Sequence, residues 1–381
     1  MNHYVEQGPI RPPSEATSLL IRVSRNCPWN KCAFCHSYRG TKFELRSVDD
    51  VKKDIQMMKD IADNIIGLSW QLGEGGIVTR NVLRHVYNSE DFYHENIYSV
   101  AAWLYYGGEN VFLQDANSLI LKTNDLLSIL GFLKEKFPDV QRITSYCRSH
   151  TAARKSVAEF EQLRNAGLSR IHIGMESGSD DVLTLINKGV TAGDHIKAGL
   201  NVRTSGIELS EYVMPGLGGE KYTRQHALET AGVMNAINPD FIRLRTLHVV
   251  PGTDLDTLME KGEFIPLHDD DILREIKLFI ENLDVQGTYL ASDHILNLLE
   301  ELEGTFPEDK QKMLAAIEKY FELSPAERQI FRLGRRIGSL KKLDDLADQD
   351  TYRRLKSVVD DYAARGENLD EDIIRTMNHF I

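Results

Sequence analysis

The sequence predicts an α/β chain in which six short parallel strands alternate with helices in a partial barrel, followed by a helical C-terminal extension. Three observations predict it. Apolar, strand-like runs alternate with helical patterns between residues 17 and 249. Several of those runs end in loops of glycine, proline and polar residues, the place where parallel α/β folds keep their chemistry. Beyond about Gly304 no such loop recurs, and only helical patterns remain.

Taken in order, residues 8–13 form a proline-rich arm that cannot be helical and is expected to lie over the barrel. Residues 17–24 read as the first strand. Ser47-Val48-Asp49-Asp50 is a helix start, after which Val48, Val51, Ile55, Met58, Ala62 and Ile65 recur at helical spacing. Residues 66–110 are too long for a simple helix-to-strand connection and contain Gly73-Glu74-Gly75-Gly76 before a helix over 78–87, so they read as an insertion. Strands follow at 111–114, 142–146, 170–175, 208–214 and 241–249, separated by helices over 125–137, 155–165, 196–204 and 225–236. Short apolar strands alternating with helices imply parallel pairing through right-handed crossovers. The expected organisation is an arm at 1–16, a core at 17–253, flanking helices with a possible extra strand near 288–292 in 254–303, and a helical region at 304–381. In that last region Ser324-Pro325-Ala326-Glu327 opens a helix that closes near Gly334, and the tail is expected to supply packing rather than chemistry.

The first strand runs into Asn26-Cys27-Pro28-Trp29-Asn30-Lys31-Cys32-Ala33-Phe34-Cys35, which holds three of the chain's four cysteines. Three thiolates on one short loop can hold three irons of a four-iron cluster and leave the fourth open. An open iron can bind and reduce a cosubstrate, whereas a fully ligated cluster mainly passes electrons. Zinc is the alternative that cysteine pairs suggest, but it would want a fourth ligand. His36 is too close to Cys35 to serve easily, and Cys147 has no cysteine neighbour. Nothing in the sequence points to the oxidising compartment that a disulfide needs.

A chain of 381 residues with 42% hydrophobic content can bury a large core. No stretch approaches the roughly 20 apolar residues of a membrane span, and the polar start has no signal core, so a cytoplasmic location is expected. The net charge of −12 argues against nucleic acid as partner and favours a small-molecule substrate.

The cysteine triad, with the aromatic Phe34 before its last member, resembles that of the radical S-adenosylmethionine superfamily, in particular coproporphyrinogen-oxidase-like and MiaB-like cores. The usual spacing has three residues between the first two cysteines, and here Pro28, Trp29, Asn30 and Lys31 make four. The resemblance covers roughly the first 250 residues. It implies a partial (β/α)6 TIM-like barrel, a 4Fe-4S cluster on Cys27, Cys32 and Cys35, and S-adenosyl-L-methionine (SAM) as the second cofactor. It also implies an external electron donor such as flavodoxin or ferredoxin.

The strand ends extend the resemblance. After the second strand, Gln114-Asp115-Ala116-Asn117-Ser118 stands where the family commonly has a Gly-Gly-Glu-like segment, so Asp115 or Asn117 is a candidate for the SAM ammonium, with Asx-type capping as the alternative. Gly107-Gly108-Glu109 matches by letter but precedes the strand and reads as a turn. The fourth strand ends in Gly174-Met175-Glu176-Ser177-Gly178-Ser179, where Glu176 matches the ribose-binding position with Ser177 beside it. A carboxylate suits a diol, although Ser177 or Ser179 can also simply cap the next helix. Lys188 and Gly189 resemble the family's Lys-Gly segment. Pro215 and Gly216 after the fifth strand, and Pro251 after the sixth, look like adenine-side segments.

Further polar groups near strand ends are Tyr146, Cys147, Arg148, His150, Glu211, Arg243, Arg245 and His248. Arg243 and Arg245 share a strand face, and Arg245 is a candidate for binding a substrate carboxylate, with neutralisation of Glu176 or Glu211 as the alternative. Cys147 is a candidate hydrogen donor to a substrate radical, or else a small buried hydrophobe. His268-Asp269-Asp270-Asp271 reads as an acidic helix start. The expected function is a radical SAM enzyme that abstracts hydrogen from a small-molecule substrate. A haem carrier on the same scaffold and an iron-sulfur electron carrier are the rivals. Too few cysteines remain for an auxiliary cluster.

Overall fold

The computed structural model describes residues 5–89 and 94–377. Parts of the expected arm (1–4), insertion (90–93) and tail (378–381) therefore lie outside the described residues. The chain divides into two compact units. The first comprises Met1–Asn30, Ser37–Ile173 and Lys197–Leu209; the second comprises Lys31–His36, Gly174–Ile196 and Ser210–Ile381.

Among the described residues there are ten strands: β1 Leu19–Arg22, β2 Ser24–Arg25, β3 Glu44–Leu45, β4 Asn110–Gln114, β5 Arg142–Cys147, β6 Leu168–Glu176, β7 Glu208–Val213, β8 Phe241–Leu244, β9 Tyr289–Ala291 and β10 Gly304–Thr305. Eight of them form a mixed, mainly parallel sheet in the order β1-β4-β5-β6-β7-β8-β9-β10, open rather than closed, while β2 and β3 make a separate antiparallel pair. Five pairings, β1–β4, β4–β5, β5–β6, β7–β8 and β8–β9, are parallel, and β9–β10 is antiparallel. The fold is thus the α/β partial barrel expected, with two strands added after β8.

In the first unit, β4 is covered on both faces, with Val111 and Phe112 fully buried, which is why it reads as a continuous apolar run. Helix Val48–Gln71 starts at Ser47, whose hydroxyl accepts the Asp50 N–H, and buries Val51, Ile55, Met58, Ala62 and Ile65. It runs beyond the expected residue 65 because Gly67 is tolerated inside it; the stop comes at Gly73, Gly75 and Gly76, all at positive φ. Helices Arg80–Asn88 and Glu95–Tyr105 fill the insertion, and the second was not expected. Gly107 and Gly108 form the turn before β4, both at positive φ. The N-terminal arm is pinned by Gln114, whose side chain accepts from the Gly8 N–H and donates to the carbonyls of Gly8 and Ile10.

In the second unit, Ala33, Val182, Ile186, Met214, Leu217, Leu247, Leu255 and Phe264 form an apolar core. β8 stops at Leu244, short of the expected residue 249, because β7 ends at Val213 and turns at Pro215-Gly216, where Gly216 takes φ 86°. Helix Gly219–Ile237 begins earlier than expected and ends at Asn238, which occupies the left-handed conformation of a C-terminal cap. His268 caps helix Asp269–Glu281 as its acidic start implied, by accepting the Asp270 N–H.

The tail departs from expectation at its boundary. Gly304 lies inside β10, paired to β9, so a division after Gly304 cuts a strand. Helix Pro325–Arg336 carries the expected capping box of Ser324 and Glu327 but runs two residues past Gly334. Gly334 instead permits close packing, since a Cβ there would fall 2.5 Å from the Leu340 side chain. The helix buries Arg332, Arg335 and Arg336. Arg336 pairs with Asp269 at 2.8 Å, and Arg332 reaches Asp270 and Asp370 at 3.3 Å. Part of the acidic run at 269–271 thus docks the tail as well as starting a helix.

Candidate active site

Asp115, fully buried after β4, fastens the start of the cysteine loop. Its carboxylate accepts from Arg22 Nη2 at 2.8 Å, from the Asn26 N–H at 3.0 Å, and from the Tyr38 hydroxyl. Burial and the Asp115 charge push the Tyr38 pKa far up, so the phenol stays a donor. Asn26 sits at φ 66° and Asn30 at φ 48°, a left-handed conformation that asparagine tolerates better than most residues. The Asn30 amide donates to the carbonyls of Tyr38 at 2.6 Å and Thr41 at 3.2 Å. The Arg148 guanidinium lies over the Trp29 ring at 5.2 Å.

This arrangement changes the reading of two candidates. Asp115 already serves three donors, and a Cβ at Gly8 would come within 3.0 Å of its Oδ1. Asn117 accepts the Arg148 N–H at 3.0 Å and donates to Thr151 Oγ1 at 2.8 Å. Both side chains hold backbone in place where the resemblance implied an ammonium site.

Within the second unit, loop residue Ala33 is buried; its N–H donates to the Ile186 carbonyl at 2.8 Å and its carbonyl accepts the Leu255 N–H at 2.9 Å. The Cys35 N–H closes a turn onto the Cys32 carbonyl at 3.1 Å. Cys27, Cys32 and Cys35 form no disulfide and are half-buried, whereas Cys147 is buried at the end of β5. The three thiols share one short loop, the donor set of a cluster with three protein ligands, but among the described residues no three of His, Cys, Asp and Glu are grouped closely enough to hold a metal ion.

Glu176 closes β6 at φ 66°, and its Oε1 accepts from Lys188 Nζ at 3.0 Å. That carboxylate folds back over Gly174, where a Cβ would lie 2.4 Å from Oε1, so a larger residue there would displace the carboxylate. Lys188 also lies 5.8 Å from the Phe34 ring centroid, which ties the Glu176 pair to the cysteine loop. Glu211 on β7 is fully buried with neither carboxyl oxygen hydrogen-bonded; burial, then the Glu176 charge, pushes its pKa well above the carboxylate range.

Ser177 is buried and bonds His226 Nδ1 at 2.8 Å. His226 Nε2 donates to the Met214 carbonyl at 3.1 Å, which assigns the proton to Nε2 and makes the Ser177 hydroxyl the donor to Nδ1. Buried Glu275 accepts the Gly216 N–H and the Thr223 hydroxyl, each at 2.7 Å. The Pro215-Gly216 turn is therefore shaped from behind by His226 and Glu275, which sequence reasoning missed because they lie on helices remote from any motif. Pro251 is exposed in a turn before Thr253 caps helix Asp254–Glu260.

Arg243 is buried and pairs with Asp293 at 2.6 Å. Arg245, two residues on, is exposed, and its N–H donates to the Val213 carbonyl at 3.0 Å. Burial and the Arg245 charge lower the pKa of His36 below its usual range. The same causes take His294 to about 4. His294 follows a stretch that reads as a possible extra strand, which would carry Asp293 and His294 toward the barrel mouth, whereas Asn297 carries no sequence signal.

Residues 86–231 match the family model described as the radical SAM superfamily. A tRNA uridine(34) acetyltransferase of Methanocaldococcus infernus is 27% identical over 122 residues, 32% of this chain and 23% of that protein. A tRNA-2-methylthio-N(6)-dimethylallyladenosine synthase of Syntrophus aciditrophicus is 30% identical over 135 residues, 33% of this chain and 28% of that protein. The chain thus spans about a quarter of the length of these curated relatives. Methylornithine synthase is a structural neighbour at TM-score 0.42 and 13% identity, with 83% of this chain and 85% of that chain covered. Among the described residues no helix is long and apolar enough to cross a membrane. Residues 86–231 thus carry a radical SAM domain, the domain of enzymes that use a 4Fe-4S cluster and SAM.

Proposed function

We propose that this protein is a radical SAM enzyme acting on a small organic acid. The observation that carries the reading is three half-buried cysteines without a disulfide, Cys27, Cys32 and Cys35, on one loop anchored by Asp115 and by the backbone of Ala33. These thiolates would hold the cluster, which when reduced supplies the electron that splits SAM into methionine and a 5′-deoxyadenosyl radical for hydrogen abstraction. Glu176, oriented by Lys188, is the acceptor for the ribose hydroxyls. The turns at Pro215-Gly216 and Pro251 would border the adenine. Cys147, buried beside Arg148, is the candidate hydrogen donor, and Arg245 is the candidate for the substrate carboxylate. An external donor such as flavodoxin or ferredoxin would deliver the electron in the cytoplasm.

The relatives' names favour a second reading, an RNA substrate. Against it stand the net charge of −12 and the short span of the matches. Anaerobic reconstitution followed by a dithionite assay for 5′-deoxyadenosine tests the enzyme reading. Total tRNA and a panel of small organic acids, added separately, separate the two substrates by which one raises turnover.

A further inference from the structure

The end of β8 carries an exposed cation bracketed by buried residues. Arg245 is open, yet Leu244 and Thr246 on either side are 1% and 4% exposed. One side chain holds both flanks: Asn297 donates from Nδ2 to the Leu244 carbonyl at 2.8 Å, and its Oδ1 accepts the Thr246 N–H at 2.9 Å and hydroxyl at 3.0 Å. The same asparagine closes a turn onto His294, whose carbonyl accepts the Asn297 N–H at 2.9 Å. The backbone of His294 and both neighbours of Arg245 thus share one asparagine, and the Arg245 charge acts on the His294 imidazole.

The imidazole is oriented. Its Nδ1 accepts the Leu296 N–H at 3.2 Å, so in the neutral ring the proton sits on Nε2 as a donor. Burial and Arg245 hold the His294 pKa at about 4, which keeps the ring neutral near pH 7. Arg243 adds no net charge, because Asp293 pairs with it. The turn is clamped from the tail by two buried arginines. Arg335 donates to the carbonyls of Leu298 at 2.8 Å and Asn297 at 3.2 Å, and Arg336 to that of Leu296 at 2.8 Å.

We infer that Arg245 and His294 form a subsite for the carboxylate of the substrate, with Asn297 as the positioning residue that sets their spacing. One guanidinium and one neutral N–H supply several donors and a single positive charge, which matches a monoanion better than a phosphomonoester. A carboxylate and a phosphodiester share that charge; the chain's overall acidity selects the carboxylate of a small molecule. This inference rests on the small-acid reading of the proposed function.

The test uses full-length, histidine-labelled protein with its cluster oxidised and with neither SAM nor reductant. Sodium acetate and dimethyl phosphate are titrated separately while the His294 resonance, assigned with His294→Gln, is followed. Acetate is expected to move that resonance saturably, Arg245→Met to abolish the response, and Asn297→Ala to weaken it by about tenfold. Because Arg245 is exposed, its variant is expected to fold even if Asn297→Ala does not. A response to dimethyl phosphate alone would overturn the carboxylate assignment. Absence of any response, or one untouched by Arg245→Met, would overturn the subsite. An equal loss of SAM affinity in Arg245→Met would give the guanidinium to the cosubstrate and also overturn it. Failure of the 5′-deoxyadenosine assay would instead remove the SAM reading and leave the acetate result standing.

Discussion

The Asp115 carboxylate accepts the backbone N–H of Asn26 at 3.0 Å, one residue ahead of Cys27. The same oxygen pairs with Arg22 at 2.8 Å, so a charge on β1, the exit of β4 and the first cysteine are linked through one buried group. Asp115→Asn keeps the shape but removes the charge that these donors share. Loss of about 1.5–3 kcal/mol of stability is expected, with reduced iron retention after reconstitution. Full iron content and an unchanged thermal midpoint would show that the anchor does not matter.

Glu176 and Lys188 make the corresponding pair in the second unit. Glu176→Gln should weaken SAM binding by about 1.5–3 kcal/mol while cluster content stays intact. Equilibrium binding of SAM to the reconstituted variant reads this directly. Unchanged affinity with lowered thermal stability would make Glu176 a structural partner of Lys188 alone.

Glu211 predicts a pH dependence. Its folded pKa lies well above the ordinary 4.5, so above that value the folded chain keeps a proton that the unfolded chain has released. Its contribution to stability is therefore full below pH 4.5 and falls as pH rises from there toward the folded pKa. The slope for one such proton is about 1.4 kcal/mol per pH unit. Chemical denaturation at a series of pH values should show that decline in the native chain and a flatter profile in Glu211→Gln. Parallel profiles would mean that the buried carboxyl is ionised.

The tail arginines predict the outcome of truncation. Removing helix Pro325–Arg336 strips the donors from the carbonyls of Leu296, Asn297 and Leu298, at about 1–3 kcal/mol for each buried acceptor left unpaired. A chain ending at Gly304 also breaks β10. Its product is expected to melt below the full chain and to lose response to substrate. A truncated chain that melts with the full one and retains that response would confine the tail to assembly.

Much of the core was legible because local chemistry and global position agree there. Val51, Ile55, Met58, Ala62 and Ile65 announce their helix by spacing, and each of the six expected strands appears near its apolar run. Helix Glu95–Tyr105 went unread because its residues, rich in aromatic and β-branched types, have weak helical propensity and are stabilised by tertiary burial of Ile97, Val100 and Trp103. The cysteine triad is legible because three ligands must share one loop. Its supports are not: Asp115, His226, Glu275 and Asn297 act through long-range hydrogen bonds that leave no periodic trace in sequence. Arg335 and Arg336 look like exposed helix charges in sequence and are buried in the fold.

The most direct measurement of the central claim is the reduced-state paramagnetic spectrum of the anaerobically reconstituted protein, with and without SAM, alongside iron quantitation. The account predicts one four-iron cluster per chain, a spectrum that changes on adding SAM, and loss of both in a variant with Cys27, Cys32 and Cys35 replaced by alanine. A triple variant that keeps its full iron content, or a cluster whose spectrum ignores SAM, would contradict it.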